Sequence, residues 1–270
     1  MLEDLVLPRL PQPQVGGKAT ELSKLASAVS IGTGFLFERC LVPYLQTKFP
    51  AYTLVEQPKL QWKEFQGTAD FLLHNPETKH ALIIDAKAFR SDTLREIKER
   101  KLTDNWSYPT QLALYHVACQ EHMSDYEVDA FWYVWSVSKA KLFVVEQEFD
   151  KSERLAHKAS VRVSSYKKVQ EHLEAGDYKA ASQLACSGAS PLLDKGYFFG
   201  NLCASTKFHY NPYADLFYPE QDPDSEDYGL PLAGESLTLL VEKLMHDAYT
   251  TEANHDYYRQ YLLDKGFQLG

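Results

Sequence analysis

Apolar positions in this chain recur first at helical spacing and then in alternation. From Thr20 to Ser30, Leu22, Leu25, Ala26 and Val29 share one helical face. Gly32 and Gly34 punctuate the run, and Phe35, Leu36, Arg39, Cys40 and Val42 predict a second helix, which Pro43 complicates. Residues Gln66–His74 and His80–Phe89 read as two strands joined by "NPETK", whose Asn-Pro start is a turn initiator suited to a hairpin. Pro109 suits the start of a helix through "YPTQLALYHVACQEH", and "VDAFWYVWSVS" and "KLFVVEQEF" predict a second hairpin across "KAK". Lys151–Ala185 is expected to be helical with a break near Gly176, "SGASPLLDKGYFFGN" irregular, Asp215–Asp227 an acidic loop, and the closing segment from Gly234 helical.

Helix, strands interrupted by a helix, then helix implies an α/β (α+β) class with a central mixed β-sheet flanked by helices. The expected division is an N-terminal proline-bearing arm over 1–18 and one domain over 19–270. That domain has a core at about 32–150 and a helical elaboration at about 151–270.

The apolar run "ALII" ends in Asp85 and Lys87, where a strand should be burying itself. Charges there are costly unless paired, hydrated or bound to a metal. Residues two apart on a strand face the same way, so Asp85 and Lys87 project together. Asp70, in "GTAD", lies on the partner strand, seven residues before a turn centred near Glu77, while Asp85 lies eight after it. The two carboxylates can converge, and neighbouring carboxylates repel unless a proton or a cation intervenes. Hard oxygen ligands of this kind suit Mg²⁺ or Mn²⁺, one or two ions, with a lysine alongside to hold or help deprotonate an attacking water. That chemistry is phosphodiester hydrolysis.

"GTAD", the 15-residue step to "DAK" behind an aliphatic strand, and the downstream "QLALY" resemble the PD-(D/E)XK nuclease superfamily in its RecB-like branch. That branch carries G-x-h-D, (D/E)-h-K and Q-h-x-x-Y in this order. The resemblance covers about Gly32 to Tyr115. It implies a restriction-endonuclease-like core, with Asp70 and Asp85 as metal carboxylates and Lys87 as the catalytic lysine. It further implies that the backbone carbonyl of Ala86 is a metal ligand, and that Gln111 and Tyr115 support the site or contact DNA. Glu38, four residues after Gly34, matches the family's acidic residue on the first core helix. Each residue also has a plainer reading: Asp70 as a turn cap, Lys87 as a solvated strand end, Glu38 as a helix-edge charge, Gln111 and Tyr115 as packing. His74, His80, His116 and His209 share no spacing with a second clear ligand and read as surface or core residues.

A formal charge of −9 argues against an indiscriminate nucleic-acid coat but leaves room for a local basic field around an acidic centre. Arg90, Arg95, Lys98, Arg100 and Lys101 crowd the segment after Lys87, and Trp106 and Tyr108 follow. Cations and aromatics beside a metal site can track a phosphate backbone and stack on an unpaired end; a charged, solvated helix is the alternative. Ser164, Ser165, Lys167 and Lys168 form a weaker second cluster. "GGKAT" lacks the spacing of a phosphate-binding loop.

Cys40, Cys119, Cys186 and Cys203 form no C-x-x-C pair, which predicts reduced thiols in a cytoplasmic setting and no iron–sulfur cluster. No segment has the length of a membrane span, and the N-terminus lacks a basic lead. Within the RecB-like branch the chain is most similar to phage recombination exonucleases of the lambda exonuclease and RecE type. That implies a homo-oligomer in the host cytoplasm degrading one strand of duplex DNA from a free end, 5′ to 3′, for recombination or repair, with a single-strand annealing protein as partner. Two other expectations stand beside it: a structure-specific or restriction-like endonuclease, and a catalytically inactive DNA-binding or assembly module.

Overall fold

The structure, a computed structural model, describes residues 5–13, 21–89, 107–189, 191–192, 197–198, 212–218, 232–250 and 255–269. The chain forms two compact units, Ala19–Ser160 and a second that joins Met1–Lys18 to Val161–Gly270. This division differs from the expected arm and single domain. Val6, Leu7 and Leu10 are buried with Val169, Val241 and Leu244 in the core of the second unit, so this N-terminal segment packs as core there.

The first unit is a mixed α/β layer structure around a five-stranded sheet. Helix α1 (Glu21–Lys48) is followed by strands β1 (Thr53–Glu56), β2 (Lys59–Trp62), β3 (Phe65–Thr68), β4 (Phe71–Asn75) and β5 (His80–Phe89). Helix α2 (Ser107–His122), strands β6 (Glu127–Ser136) and β7 (Lys141–Gln147) and the start of α3 (Phe149–Glu174) complete it. The sheet order is β1-β4-β5-β6-β7, all neighbours antiparallel except β5 and β6. A parallel pair needs a crossover, and α2 lies on that crossover.

Alternation sorts the two faces. Ala81 and Ile83 of β5 and Val128, Ala130, Trp132 and Val134 of β6 pack with Leu112, Tyr115, Ala118 and Cys119 of α2. Leu82, Ile84 and Ala86, one residue out of phase, pack with Leu41 and Leu45 of α1. Asp85 and Lys87 follow Ala81 and Ile83 in phase, so β5 directs them to the α2 side.

The hairpin turn is locked locally. The Asn75 side chain accepts hydrogen bonds from the backbone N–H of Glu77 (2.9 Å) and Thr78 (3.3 Å), and Lys79 takes a left-handed conformation with φ 54°. Asn75 pairs with His80 within the ladder, so the loop is four residues rather than the five of "NPETK".

Three expectations are corrected. The two helices separated by Gly32 and Gly34 are one, because two glycines cost about 1 kcal/mol each and do not stop a helix anchored further on by Leu41 and Leu45. The single strand Gln66–His74 is two: β3 turns away to pair with β2, Trp62 opposite Phe65, while β4 pairs with β5. Strands β1 and β2 were not expected, since "TLVE" and "KLQW" are short and mostly exposed.

In the second unit α3 ends and is followed by α4 (Tyr178–Cys186), β8 (Pro191–Leu192), β9 (Tyr197–Phe198), α5 (Gly234–Tyr249) and α6 (Asp256–Asp264). Among the described residues no helix is long and apolar enough to cross a membrane.

Candidate active site

The site forms where β4 leaves β5. Their ladder ends at the pair Phe71 and Ile84, whereas β5 continues beside β6 as far as Phe89. Beyond Ile84, β5 has no strand on that edge, and a buried N–H left there needs another acceptor. Asp70 supplies it: Oδ2 accepts a hydrogen bond from the backbone N–H of Ala86 at 2.6 Å. Asp70 is therefore in the break between β3 and β4, not inside an apolar strand. Its own backbone is fixed from the β1–β2 connection, where Gln57 N–H donates to the Asp70 carbonyl (2.9 Å) and the Pro58 carbonyl accepts from Ala69 N–H (3.2 Å).

Asp85 is 2% exposed and is paired with Lys87. Lys87 Nζ donates to Oδ1 at 2.9 Å. Oδ2 lies 2.8 Å from the same nitrogen, in ion-pair contact but outside hydrogen-bond geometry, so this buried oxygen has no hydrogen-bond donor. At these distances the Lys87 ammonium is the electrostatic partner of both carboxylate oxygens.

Glu38 shares a helical stripe with Leu41 and Leu45, three and seven residues on, which brings it to the sheet side of α1. It is half-buried, and Asp70 and Lys87 both act on it electrostatically. Desolvation pushes its carboxyl up; Asp70 adds to this and Lys87 opposes it. Asp70 is also pushed up by burial, against the Ala86 N–H and Lys87. Asp85 is pushed to about 6, mainly by desolvation, with Lys87 lowering it and Asp70 and Glu38 raising it further. For Lys87, burial disfavours the ammonium, but Asp85, then Asp70 and Tyr108, outweigh it and the pKa rises. Among the described residues, the three acids therefore hold negative potential that the Lys87 ammonium offsets in part.

The third sequence motif closes the site from α2. Gln111 Nε2 donates to Tyr115 Oη at 2.9 Å. Tyr115, buried, lies so close to Gly67 that a Cβ there would stand 2.7 Å from Tyr115 Cε1. That close approach is why a glycine opens "GTAD". Burial raises the Tyr115 hydroxyl pKa, and Asp85 and Asp70 act on it in the same direction. Lys87 Nζ also stands 5.6 Å from the Tyr108 ring centroid.

Ala86 is buried between the two acids. Arg90, Arg95, Lys98 and Trp106 lie outside the described residues, as do Cys203, His209 and the acidic segment after Tyr218. Ser165 is buried on α3, so it is not part of a surface with Ser164, Lys167 and Lys168. His80 joins Tyr52 Oη (2.8 Å) to Asp129 (2.9 Å), and His116 joins Ser152 (2.9 Å) to the Val128 carbonyl (2.8 Å).

Among the described residues no three histidine, cysteine, aspartate or glutamate side chains converge closely enough to enclose a metal unaided. The donor chemistry nonetheless fits a hard divalent cation: two aspartates, Glu38 in electrostatic reach, and a buried Asp85 oxygen without a hydrogen-bond donor. Lys87 is the competitor such an ion would meet at Asp85.

The β2–β3 hairpin beside this site was missed. Its two strands, "KLQW" and "FQGT", are four residues each and carry too little apolar alternation to predict a hairpin around Lys63-Glu64.

The chain matches no protein-family profile and no curated protein. A solved structure titled "Crystal structure of SSO0001" is similar at 16% identity and a TM-score of 0.31, covering 52% of this chain and 64% of that one. The chain thus spans under two thirds of that protein, and a likeness of this degree bears on neither fold nor function.

Proposed function

We propose that the chain is a Mg²⁺- or Mn²⁺-dependent deoxyribonuclease with a restriction-endonuclease-like core, acting as an exonuclease on duplex ends in recombination or repair. The observation that carries this is convergence. "GTAD", "DAK" and "QLALY", read in order from the sequence, meet through the Asp70–Ala86 hydrogen bond and the contact of Gly67 with Tyr115. Strand polarity, ring assembly and an annealing partner follow from the resemblance to phage recombination exonucleases alone.

Asp70, Asp85, Glu38 and the Ala86 carbonyl would hold the cation. Bound there, it would lower the pKa of a water and neutralise charge on the phosphoryl oxygens. The raised pKa keeps Lys87 an ammonium at neutral pH, which suits it to orient the attacking water and offset developing negative charge rather than to act as a base. Water attacks phosphorus, the bond to the leaving oxygen breaks, and that oxygen takes a proton. Tyr115, held by Gln111, fixes the wall against which Gly67 and Asp70 are placed.

The test is a time course on end-labelled linear duplex and on the same DNA as a closed circle, with Mg²⁺ and with EDTA. Loss of label from the linear form, absent with EDTA and in Lys87→Ala and Asp85→Asn, supports the reading. Nicking of the circle selects the endonuclease. Unchanged cleavage in both variants removes the site assignment, and no cleavage by the wild type under any divalent ion favours an inactive binding module.

A further inference from the structure

A cleft of about 70 Å³ lies between the β2–β3 hairpin and α2 and abuts the candidate active site. Leu60 and Gly67, then Trp62 and Phe65, are cross-strand partners, and Leu60, Trp62, Phe65 and Gly67 are the alternate, more buried positions that face α2. Gln111, Leu114, Tyr115 and Ala118, spaced three, four and seven residues apart, form the opposite wall. Gly67, Gln111 and Tyr115 thus belong to both the cleft and the site.

Its chemistry is that of a flat aromatic ligand with a charged neighbour. Trp62 and Phe65 stack with centroids 6.1 Å apart and planes 16° from parallel, and both remain half-exposed. Two apolar rings left open to water in register make a planar π surface. Lys63 Nζ lies 4.3 Å from the Trp62 ring centroid and is itself exposed, so a cation stands at the lip. An amide from α2 completes the lining. Gln111 commits its Nε2 to Tyr115 and leaves Oε1 open.

We propose that this cleft is a nucleobase subsite, taking one unstacked base of the DNA strand whose phosphate lies at Asp70, Asp85 and Lys87. The base displaces the exposed Lys63 ammonium from the Trp62 face and stacks there, Gln111 Oε1 meets its edge, and the freed Lys63 meets the adjoining phosphate. The inference rests on the nuclease reading for the identity of the strand. Continuity with the site argues for a base rather than an unrelated apolar ligand, because the wall that holds Tyr115 is also the cleft's back.

The probe is a short single-stranded oligodeoxynucleotide carrying one 2-aminopurine, titrated in Ca²⁺, alongside the same strand with an abasic residue at that place. Wild type is expected to quench the 2-aminopurine emission. Trp62→Ala should abolish the quench and weaken binding roughly five- to 150-fold, the range for losing one stacked base. Trp62→Phe should retain most of both, and the abasic strand should bind wild type and Trp62→Ala alike. Phe65→Leu, which keeps volume but removes a π face, repeats the comparison should Trp62→Ala fail to fold. An equal loss on base-bearing and abasic strands, or no loss on either, overturns the subsite.

Mg²⁺-dependent cleavage of end-labelled duplex by the wild type separates the two proposals, because it reads the metal site and the 2-aminopurine quench reads the cleft. A wild type that quenches 2-aminopurine but does not cleave DNA would refute the nuclease reading and leave the subsite standing.

Discussion

Replacing Lys87 by Ala removes the ammonium paired with Asp85, and its cost should depend on pH in a way that reveals the charge state of the site. In the wild type the Asp85 carboxyl titrates at about 6, above the ordinary aspartate value of 3.8, chiefly because it is desolvated. The unfolded chain releases its proton first. Between 3.8 and about 6 the native state holds a proton that the unfolded state has lost, so stability falls as pH rises through that window and levels off above it. At 1.36 kcal/mol per pH unit the whole effect is about 3 kcal/mol. Lys87 is the largest influence opposing this rise. Without it, Asp85 should titrate higher still, and the window of falling stability should extend beyond pH 6. Breaking a buried pair while its remaining partner stays charged costs about 3–5 kcal/mol. Here the acid escapes that cost by taking up a proton, so the variant should lose little at pH 5 and progressively more towards pH 8. Urea unfolding of both proteins across this range, with side-chain carboxyl ¹³C shifts to locate the titration, reads the effect. A loss that is the same at pH 5 and pH 8, or an Asp85 that titrates near 4 in the wild type, would refute the reasoning.

Gly67→Ala should destabilise by about 1–3 kcal/mol, as expected of overpacking, since its Cβ meets Tyr115 Cε1 at 2.7 Å. Adding Tyr115→Leu should recover part of that loss in a double-mutant cycle, and strictly additive losses would remove the contact from consideration. Asp70→Ala strands the Ala86 N–H and should cost about 1–3 kcal/mol in chemical denaturation, whereas Asp70→Asn, which keeps an acceptor oxygen, should cost less. Leu45→Ala, at a fully buried position under the sheet, should cost about 2–5 kcal/mol by thermal or urea melting.

Much of the first unit was legible because its signals are local. Strand β5, the β6–β7 hairpin and α2 follow from alternation and from Pro109, and the approach of Asp70 to Asp85 follows from one short turn. What escaped depended on non-local packing. The break at Ala69–Asp70 exists because β3 pairs with β2, and neither "KLQW" nor "TLVE" carries enough apolar alternation to declare a strand. The joining of Gly32 and Gly34 into α1 reflects anchoring by Leu41 and Leu45 further along. Val6, Leu7 and Leu10 read as an arm because their partners lie more than 150 residues later in the chain. The pair Asp85 and Lys87 follows from their spacing on one strand; that one lysine spans both oxygens of Asp85 depends on the side-chain rotamers, which the spacing does not encode.

The strand that carries Asp85 has neighbours of two kinds, and this sets an order of assembly. Its pairing with β4 closes across a four-residue loop, a microsecond event, so Asp70 can reach the Ala86 amide almost as soon as the hairpin exists. Its pairing with β6 must wait for the whole crossover, which brings Gln111 and Tyr115 with it. The acidic half is therefore built before its wall. In pulse-labelled hydrogen exchange during refolding, the Ala86 amide should gain protection ahead of the amides of β6.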